Sequence, residues 1–242
     1  MDNTLDKRIT TRKVNTEFPV EGSEKCPAYL STFSSDSKIG LILIQEWWGV
    51  NESICNTADK FAKAGFQVLV PDLYRGKIAK DTEDAGHLLN ELQWDQAIKD
   101  IGAAGKLMKT NYGCEKVGIL GFCMGGALTI ASLSAHPDLF YAGSPYYGIP
   151  DLNKFPLKNI KVPVLAHFGE KDDMKGFSDQ ESAQKLQQQA KELKLDFHVK
   201  IYPNAGHAFM NSERPDVFKP EIYNIAFQNT VEFFNKNNVE KL

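Results

Sequence analysis

A cysteine in a glycine-rich turn is the first candidate for chemistry in this sequence. Residues 120–127 read Leu-Gly-Phe-Cys-Met-Gly-Gly-Ala, between an apolar run and a stretch of helical spacing. Such a G-x-C-x-G turn lifts its nucleophile off the sheet, and a Cβ at Gly121 or Gly125 would collide with a neighbouring element. The helix N-terminus favours negative charge and lowers the pKa of a thiol. We therefore predict that Cys123 is a nucleophile, although a lone cysteine is more often a buried core residue.

A histidine and a carboxylate further along the chain could activate such a nucleophile. Asp172 and Asp173 follow one apolar run, and His207 follows another. Because the carboxyl ends of parallel strands meet at one edge of a sheet, we expect Cys123, Asp172 and His207 to converge. Asp172, the third residue after Gly169, is the preferred acid. Asp173 is the alternative, since an aspartate in a turn commonly just bonds its own backbone.

The elements that must position these residues are visible as alternating patterns from about residue 38 onward, which is typical of a parallel sheet covered by helices. The predicted strands are 39–45, 66–70, 116–120, 141–147, 162–168 and 197–202. The predicted helices are 53–64, 84–110, 124–135, 180–193 and a last one from Tyr223 to Phe234. Before residue 38 we predict a short antiparallel hairpin at the sheet edge. The prediction is one α/β domain over 1–242, with helices on both faces of a mostly parallel sheet and a loosely ordered segment over 1–15.

Composition and charge exclude several classes of protein. The 28 Lys and Arg residues against 31 Asp and Glu leave a net charge of −3, too weak a field to hold a nucleic acid. No apolar run approaches the roughly 20 residues of a membrane span, and the polar N-terminus lacks the pattern of a secretory signal. The four cysteines have no zinc-ligand spacing, and no phosphate-binding glycine motif occurs. We expect a cytoplasmic protein with no bound metal and with a small molecule as its partner, as a monomer or a dimer.

The motifs together resemble those of the dienelactone hydrolase family (carboxymethylenebutenolidases), a branch of the α/β-hydrolases that uses a cysteine. The matching segments span about residues 40–210 in the family's order and are 45–49, 71–76, 121–126, 169–172 and 206–207. The resemblance implies the α/β-hydrolase fold and a triad of Cys123, His207 and Asp172. It also implies hydrolysis of a cyclic enol-lactone to an open-chain acid through a thioester, without metal or organic cofactor.

The resemblance further implies a role for Glu46, which lies next to the thiol in the family and helps to form the thiolate when substrate binds. An ion pair between Glu46 and Arg75 is the alternative for this carboxylate. By position, the backbone N–H groups of Trp47 and Met124 are expected to form the oxyanion hole. The expected substrate-binding side chains are Arg75, Trp48 and Tyr74.

One position departs from the family's pattern. Family members that act on dienelactone hold its carboxylate with arginines, one of them four residues after the histidine, where this sequence has Asn211. Arg75 and Arg214 remain available, but loss of a bidentate guanidinium weakens recognition of a carboxylate. The leading interpretation is a cysteine-dependent hydrolase of small lactones or esters. The alternatives are a non-catalytic binding protein of the same fold, a serine esterase and a thiol redox protein.

Overall fold

The computed structural model describes residues 14–34 and 36–238, so the expectation for residues 1–15 lies almost wholly outside the described residues. The strands are β1 (Thr16–Phe18), β2 (Cys26–Ser31), β3 (Ile39–Ile44), β4 (Gln67–Pro71), β5 (Lys116–Phe122), β6 (Gly143–Tyr146), β7 (Val164–Gly169) and β8 (Phe197–Tyr202). The helices are α1 (Glu52–Lys63), α2 (Thr82–Glu91), α3 (Trp94–Thr110), α4 (Met124–Ala135), α5 (Gln180–Glu192) and α6 (Pro220–Asn238).

The strands form one eight-stranded sheet in the order β1-β2-β4-β3-β5-β6-β7-β8. Strands β1 and β2 form the predicted antiparallel edge, and β2 runs antiparallel to β4. Every pairing from β4 to β8 is parallel. The carboxyl ends of β3, β5, β7 and β8 therefore meet at the same edge, where the predicted chemical residues follow them.

Helices cover both faces because the central strands are apolar on both faces. In β3, Leu41 and Leu43 pack into the layer that contains side chains of α1 and α6. Ile42 and Ile44 point the opposite way, into the layer that contains side chains of α3, α4 and α5. Alternating side chains along a strand reach opposite faces, so a continuous apolar run buries both. The strand predictions relied on this pattern and are confirmed, with β6 shorter than expected.

The helix predicted over 84–110 is wrong as a single element, because the structure divides it into α2 and α3. Leu92 leaves the helix with an extended backbone at φ −63° and ψ 119°, and α3 begins at Trp94. Both of these side chains then line the cavity described below. Neither proline nor glycine marks this break in the sequence, which is why helical spacing alone did not reveal it.

None of the helices formed by the described residues is long and apolar enough to cross a membrane.

Candidate active site

The turn after β5 holds Cys123 in a strained backbone conformation. Its φ is +56° and its ψ is −117°, in a region that side chains with a Cβ rarely adopt. A Cβ on Gly121 would lie 2.3 Å from the carbonyl oxygen of Gly125, and one on Gly125 would lie 2.4 Å from that of Ile44. The predicted need for glycine at both positions is therefore confirmed.

Two further glycines allow this turn to pack closely, and the sequence analysis missed both. A Cβ on Gly126 would lie 2.1 Å from the carbonyl oxygen of Tyr146. A Cβ on Gly148 would lie 2.1 Å from the carbonyl oxygen of Cys123. The end of β6 thus presses its backbone against the nucleophile turn. Gly126 lies within the recognised motif, whereas Gly148 carried no local signal.

His207 and Asp172 come together as expected, although 35 residues separate them. His207 Nδ1 lies 2.8 Å from Asp172 Oδ2 and 3.1 Å from Ser178 Oγ. The other carboxylate oxygen of Asp172 accepts a hydrogen bond from the Met174 N–H. Asp172 is buried and Asp173 is exposed. The structure therefore pairs the imidazole with Asp172, and it leaves His207 Nε2 as the ring nitrogen for proton exchange in the cavity.

Glu46 is the second residue after β3 and is buried beside Cys123. Its Oε2 accepts a hydrogen bond of 2.7 Å from Asn211 Nδ2, and its Oε1 accepts one of 3.4 Å from the Tyr147 hydroxyl. Burial raises the pKa of the Glu46 carboxyl, and the hydrogen bond from Asn211 acts in the opposite direction. This carboxylate is therefore a stronger base than an exposed glutamate.

The thiol of Cys123 is protonated at neutral pH in this arrangement. Burial raises the pKa of the thiol most strongly, and the negative charge of Glu46 raises it further. A hydrogen bond from the Met124 N–H lowers that pKa, but by less. The expectation of a lowered thiol pKa at the helix N-terminus is therefore wrong for this state, because burial outweighs the helix terminus.

Asn211 is the partner of Glu46, a role that the sequence analysis did not assign. Its Oδ1 accepts hydrogen bonds from Ser53 Oγ at 3.1 Å and from the Glu213 N–H at 3.0 Å. Because donors occupy this oxygen, the amide must turn its Nδ2 toward Glu46. The signal available in the sequence was the polar residue four positions after His207, which was interpreted only as a missing arginine.

Arg75 and Tyr74 do not occupy the predicted substrate-binding positions, and these expectations need correction. The Arg75 guanidinium forms a bidentate pair with the buried Asp100, with nitrogen-to-oxygen distances of 2.7 and 2.9 Å. That pair holds it away from Glu46, so the alternative Glu46–Arg75 ion pair is also wrong. The Tyr74 hydroxyl donates to Met124 Sδ at 3.3 Å. Both side chains line a separate cavity of about 320 Å³.

A cavity of about 500 Å³ opens over the nucleophile turn. Cys123, His207 and Glu46 line it, together with Trp47 and Met124, the two residues predicted for the oxyanion hole. Trp48 also lines it, as predicted, and packs edge-to-face on Trp47 at 5.2 Å between ring centroids. The lining side chains that sequence reasoning missed include Leu89, Asn90, Leu92, Trp94, Met174 and Phe177. They come from the adjoining ends of α2 and α3 and from a loop, where no periodic pattern indicates which side chains face a site. Arg214, which the sequence left available for a substrate carboxylate, also lines the cavity.

Within residues 14–34 and 36–238, no group of three or more His, Cys, Asp or Glu side chains is arranged to hold a metal ion.

Comparison with known proteins identifies relatives of the whole domain. The model of the dienelactone hydrolase family matches residues 26–238. The protein usf of Aquifex pyrophilus is 34% identical, over 81% of this chain and 87% of that protein. A putative carboxymethylenebutenolidase of Aquifex aeolicus is 32% identical, over 80% of this chain and 86% of that protein.

A solved structure of a related protein has the same fold as this chain. The crystal structure of a putative dienelactone hydrolase from Klebsiella pneumoniae aligns with a TM-score of 0.79 and 24% identity, covering 91% of this chain and 96% of that one. The predicted α/β-hydrolase fold is thus confirmed. Since the family match extends from the second strand to the last helix, this chain belongs to the dienelactone hydrolase family and is a hydrolase that acts on lactone or ester bonds.

Proposed function

We propose that this chain is a cysteine-dependent hydrolase of small lactones or esters that acts through a triad of Cys123, His207 and Asp172 and an acyl-thioester. The observation that carries the proposal is the cavity shared by the Cys123 thiol, the buried Glu46 carboxyl group and an imidazole paired with Asp172. These groups supply a nucleophile, a base for its proton and an oriented second base.

Acylation begins when Glu46 takes the proton of the Cys123 thiol. The thiolate attacks the carbonyl carbon and forms a C–S bond, and the backbone N–H groups of Trp47 and Met124 stabilise the oxyanion. Collapse of the tetrahedral intermediate breaks the C–O bond, and the proton on Glu46 passes to the leaving oxygen. A thiol that ionises only with substrate in place is protected from oxidation between turnovers.

Deacylation uses the imidazole. His207 Nε2 takes a proton from a water molecule, and the hydroxide adds to the thioester carbonyl. The charge on the resulting imidazolium is stabilised by Asp172, which lies 2.8 Å from Nδ1. Breakage of the C–S bond releases the acid, and the thiolate of Cys123 recovers its proton from His207.

Acyl-enzyme trapping tests this function. With a p-nitrophenyl ester, the wild-type protein should give a burst of nitrophenol and a mass increase on Cys123, and Cys123→Ala should give neither. A matched control is Cys114→Ala, since Cys114 is a buried thiol at the opposite end of β5. Cys114→Ala should keep the burst. Turnover by Cys123→Ala would disprove the proposal, and saturable ester binding without turnover by the wild type would favour a binding protein.

The proposal includes a cytoplasmic location and a small-molecule ester or lactone as the partner. Cys26, Cys114 and Cys123 are free and buried. Unpaired thiols are typical of a reducing compartment, which supports the location.

A further inference from the structure

We propose that the site selects uncharged esters or lactones with an aromatic or bulky apolar group and discriminates against substrates that carry a carboxylate. This inference rests on the proposed function, because it names the substrate class of the same cavity. It follows from the apolar wall of the cavity, from the ion pair of the Arg214 guanidinium and from the orientation of the Asn211 amide.

The wall of the cavity is built for apolar contact. Trp47, Trp48 and Trp94 line it, together with Leu92 and Phe177. Trp94 stacks on Phe155 with 6.1 Å between ring centroids, which fixes the indole on one side. A volume of about 500 Å³ holds a small molecule, and aromatic walls give binding energy in proportion to the apolar area that they remove from water.

The cavity offers no unpaired cation to a substrate carboxylate. Among the described residues that line it, the single Lys or Arg side chain is Arg214. Arg214 Nη2 lies 2.7 Å from Asp216 Oδ2 in a solvent-exposed ion pair, so its guanidinium has an anionic partner with which a substrate carboxylate must compete. Glu46 places a carboxylate on the wall of the same cavity. A substrate carboxylate would lose water there without gaining an unpaired cation, and it would face the like charge of Glu46.

Asn211 cannot take the place of a carboxylate-binding group. Its Nδ2 donates to Glu46, and its Oδ1 already accepts from Ser53 and from the backbone of Glu213. Arg75 is equally unavailable, because it pairs with Asp100 in the separate cavity. The polar groups at this end of the site therefore hold the general base rather than the substrate.

A matched pair of esters tests the inference. Phenyl pentanoate and the monophenyl ester of glutaric acid differ only in a terminal methyl group against a carboxylate. We expect kcat/KM at pH 7, each normalised to the hydroxide-catalysed rate of that ester, to favour phenyl pentanoate by about tenfold or more. A ratio of one or less would overturn the inference.

A binding measurement distinguishes failure of this inference from failure of the proposed function. Tryptophan fluorescence of Cys123→Ala should report tighter binding of phenyl pentanoate than of the glutarate monoester, by a similar factor. If the wild-type protein hydrolysed neither ester, the proposed function would fail, and the ratio of these two dissociation constants would still support or overturn the substrate class.

Two variants test the physical cause. Asp216→Asn frees the Arg214 guanidinium, so the preference for phenyl pentanoate should fall several-fold through faster hydrolysis of the glutarate monoester. Arg214→Gln alone should change the preference by less than about twofold, because the paired guanidinium contributes little to it. A selective loss of glutarate monoester hydrolysis in Arg214→Gln would mean that Arg214 already binds a carboxylate, and it would overturn the inference.

Discussion

The charge of Glu46 adds to burial in lowering the reactivity of the neighbouring Cys123 thiol before substrate arrives. Since the Glu46 carboxylate raises the pKa of the Cys123 thiol, Glu46→Gln should lower that pKa and increase the thiolate fraction at a fixed pH. Alkylation of Cys123 by iodoacetamide at pH 8, followed by mass spectrometry, should accelerate several-fold. Acylation by an ester should slow, because the base for the thiol proton is gone. Unchanged rates for both reactions would remove Glu46 from the mechanism.

The amide of Asn211 sets how far the pKa of Glu46 is raised. Its hydrogen bond lowers the pKa of a carboxyl that burial raises, so Asn211→Leu should raise that pKa further. Glu46 accepts a proton only as a carboxylate, and this form is lost as the pH falls through its pKa. The acidic limb of the pH profile of kcat/KM should therefore move to higher pH in Asn211→Leu.

Ser53→Ala is the matched control for this shift. It removes one of the two donors that anchor Asn211 Oδ1 but keeps the amide facing Glu46. Its acidic limb should move less than that of Asn211→Leu. If the acidic limb of the kcat/KM profile lay at the same pH in the wild type and in Asn211→Leu, Asn211 would have only a structural role.

At the scale of elements, the nucleophile turn depends on backbone packing that tolerates no added carbon. Gly148→Ala would place a Cβ 2.1 Å from the carbonyl oxygen of Cys123, so backbone must move. We expect the free energy of unfolding in urea to fall by about 1–3 kcal/mol. Gly86→Ala in α2 is the control, because its Cβ would meet nothing within 4 Å. That variant should gain about 0.5–1 kcal/mol through helix propensity. Equal stabilities of the two variants would contradict this account of the turn.

The elements that the sequence predicted well are those whose physical cause is local. A strand buried on both faces must be a continuous apolar run, so β3 and β5 were visible from composition alone. The break between α2 and α3 is not visible in the sequence, because no proline or glycine marks it and the cavity that Leu92 and Trp94 line exists only in the folded chain.

The residues of the site also divide into those that local sequence predicts and those that depend on tertiary packing. Cys123, Asp172 and His207 lie in turns that follow strands, so order along the chain was sufficient to predict their convergence. The partner of Arg75 was not predictable, because Asp100 lies on α3 and only tertiary packing brings the two together. The sequence therefore indicates a substrate contact for Arg75, and its ion pair with Asp100 corrects that expectation.

At the scale of the whole molecule, a buried polar network joins the end of the parallel sheet to the last helix. His167 lies on β7, and its Nε2 is 3.0 Å from Ser144 Oγ on β6. Its Nδ1 is 2.8 Å from the Tyr202 hydroxyl on β8. Thr230 on α6 lies 3.2 Å from the same Nε2. His167 is fully buried and stacks on Tyr146. The network thus connects three strands and a helix through one imidazole.

This network should make the folded state sensitive to acid. Burial lowers the pKa of His167 to about 3 from its ordinary value of 6.5. Between pH 6.5 and pH 3, His167 binds a proton in the unfolded chain but stays neutral in the folded one. The contribution of neutral His167 to the stability of the folded state is therefore complete above pH 6.5 and is lost as the pH falls toward 3. From pH 7 to pH 5, this histidine should reduce the free energy of unfolding by about 2 kcal/mol. His167→Gln should lack that loss in urea titrations at the two pH values, and His198→Gln, which changes an exposed histidine on β8, should keep it. The same loss in His167→Gln as in the wild type would show that another group carries the acid sensitivity.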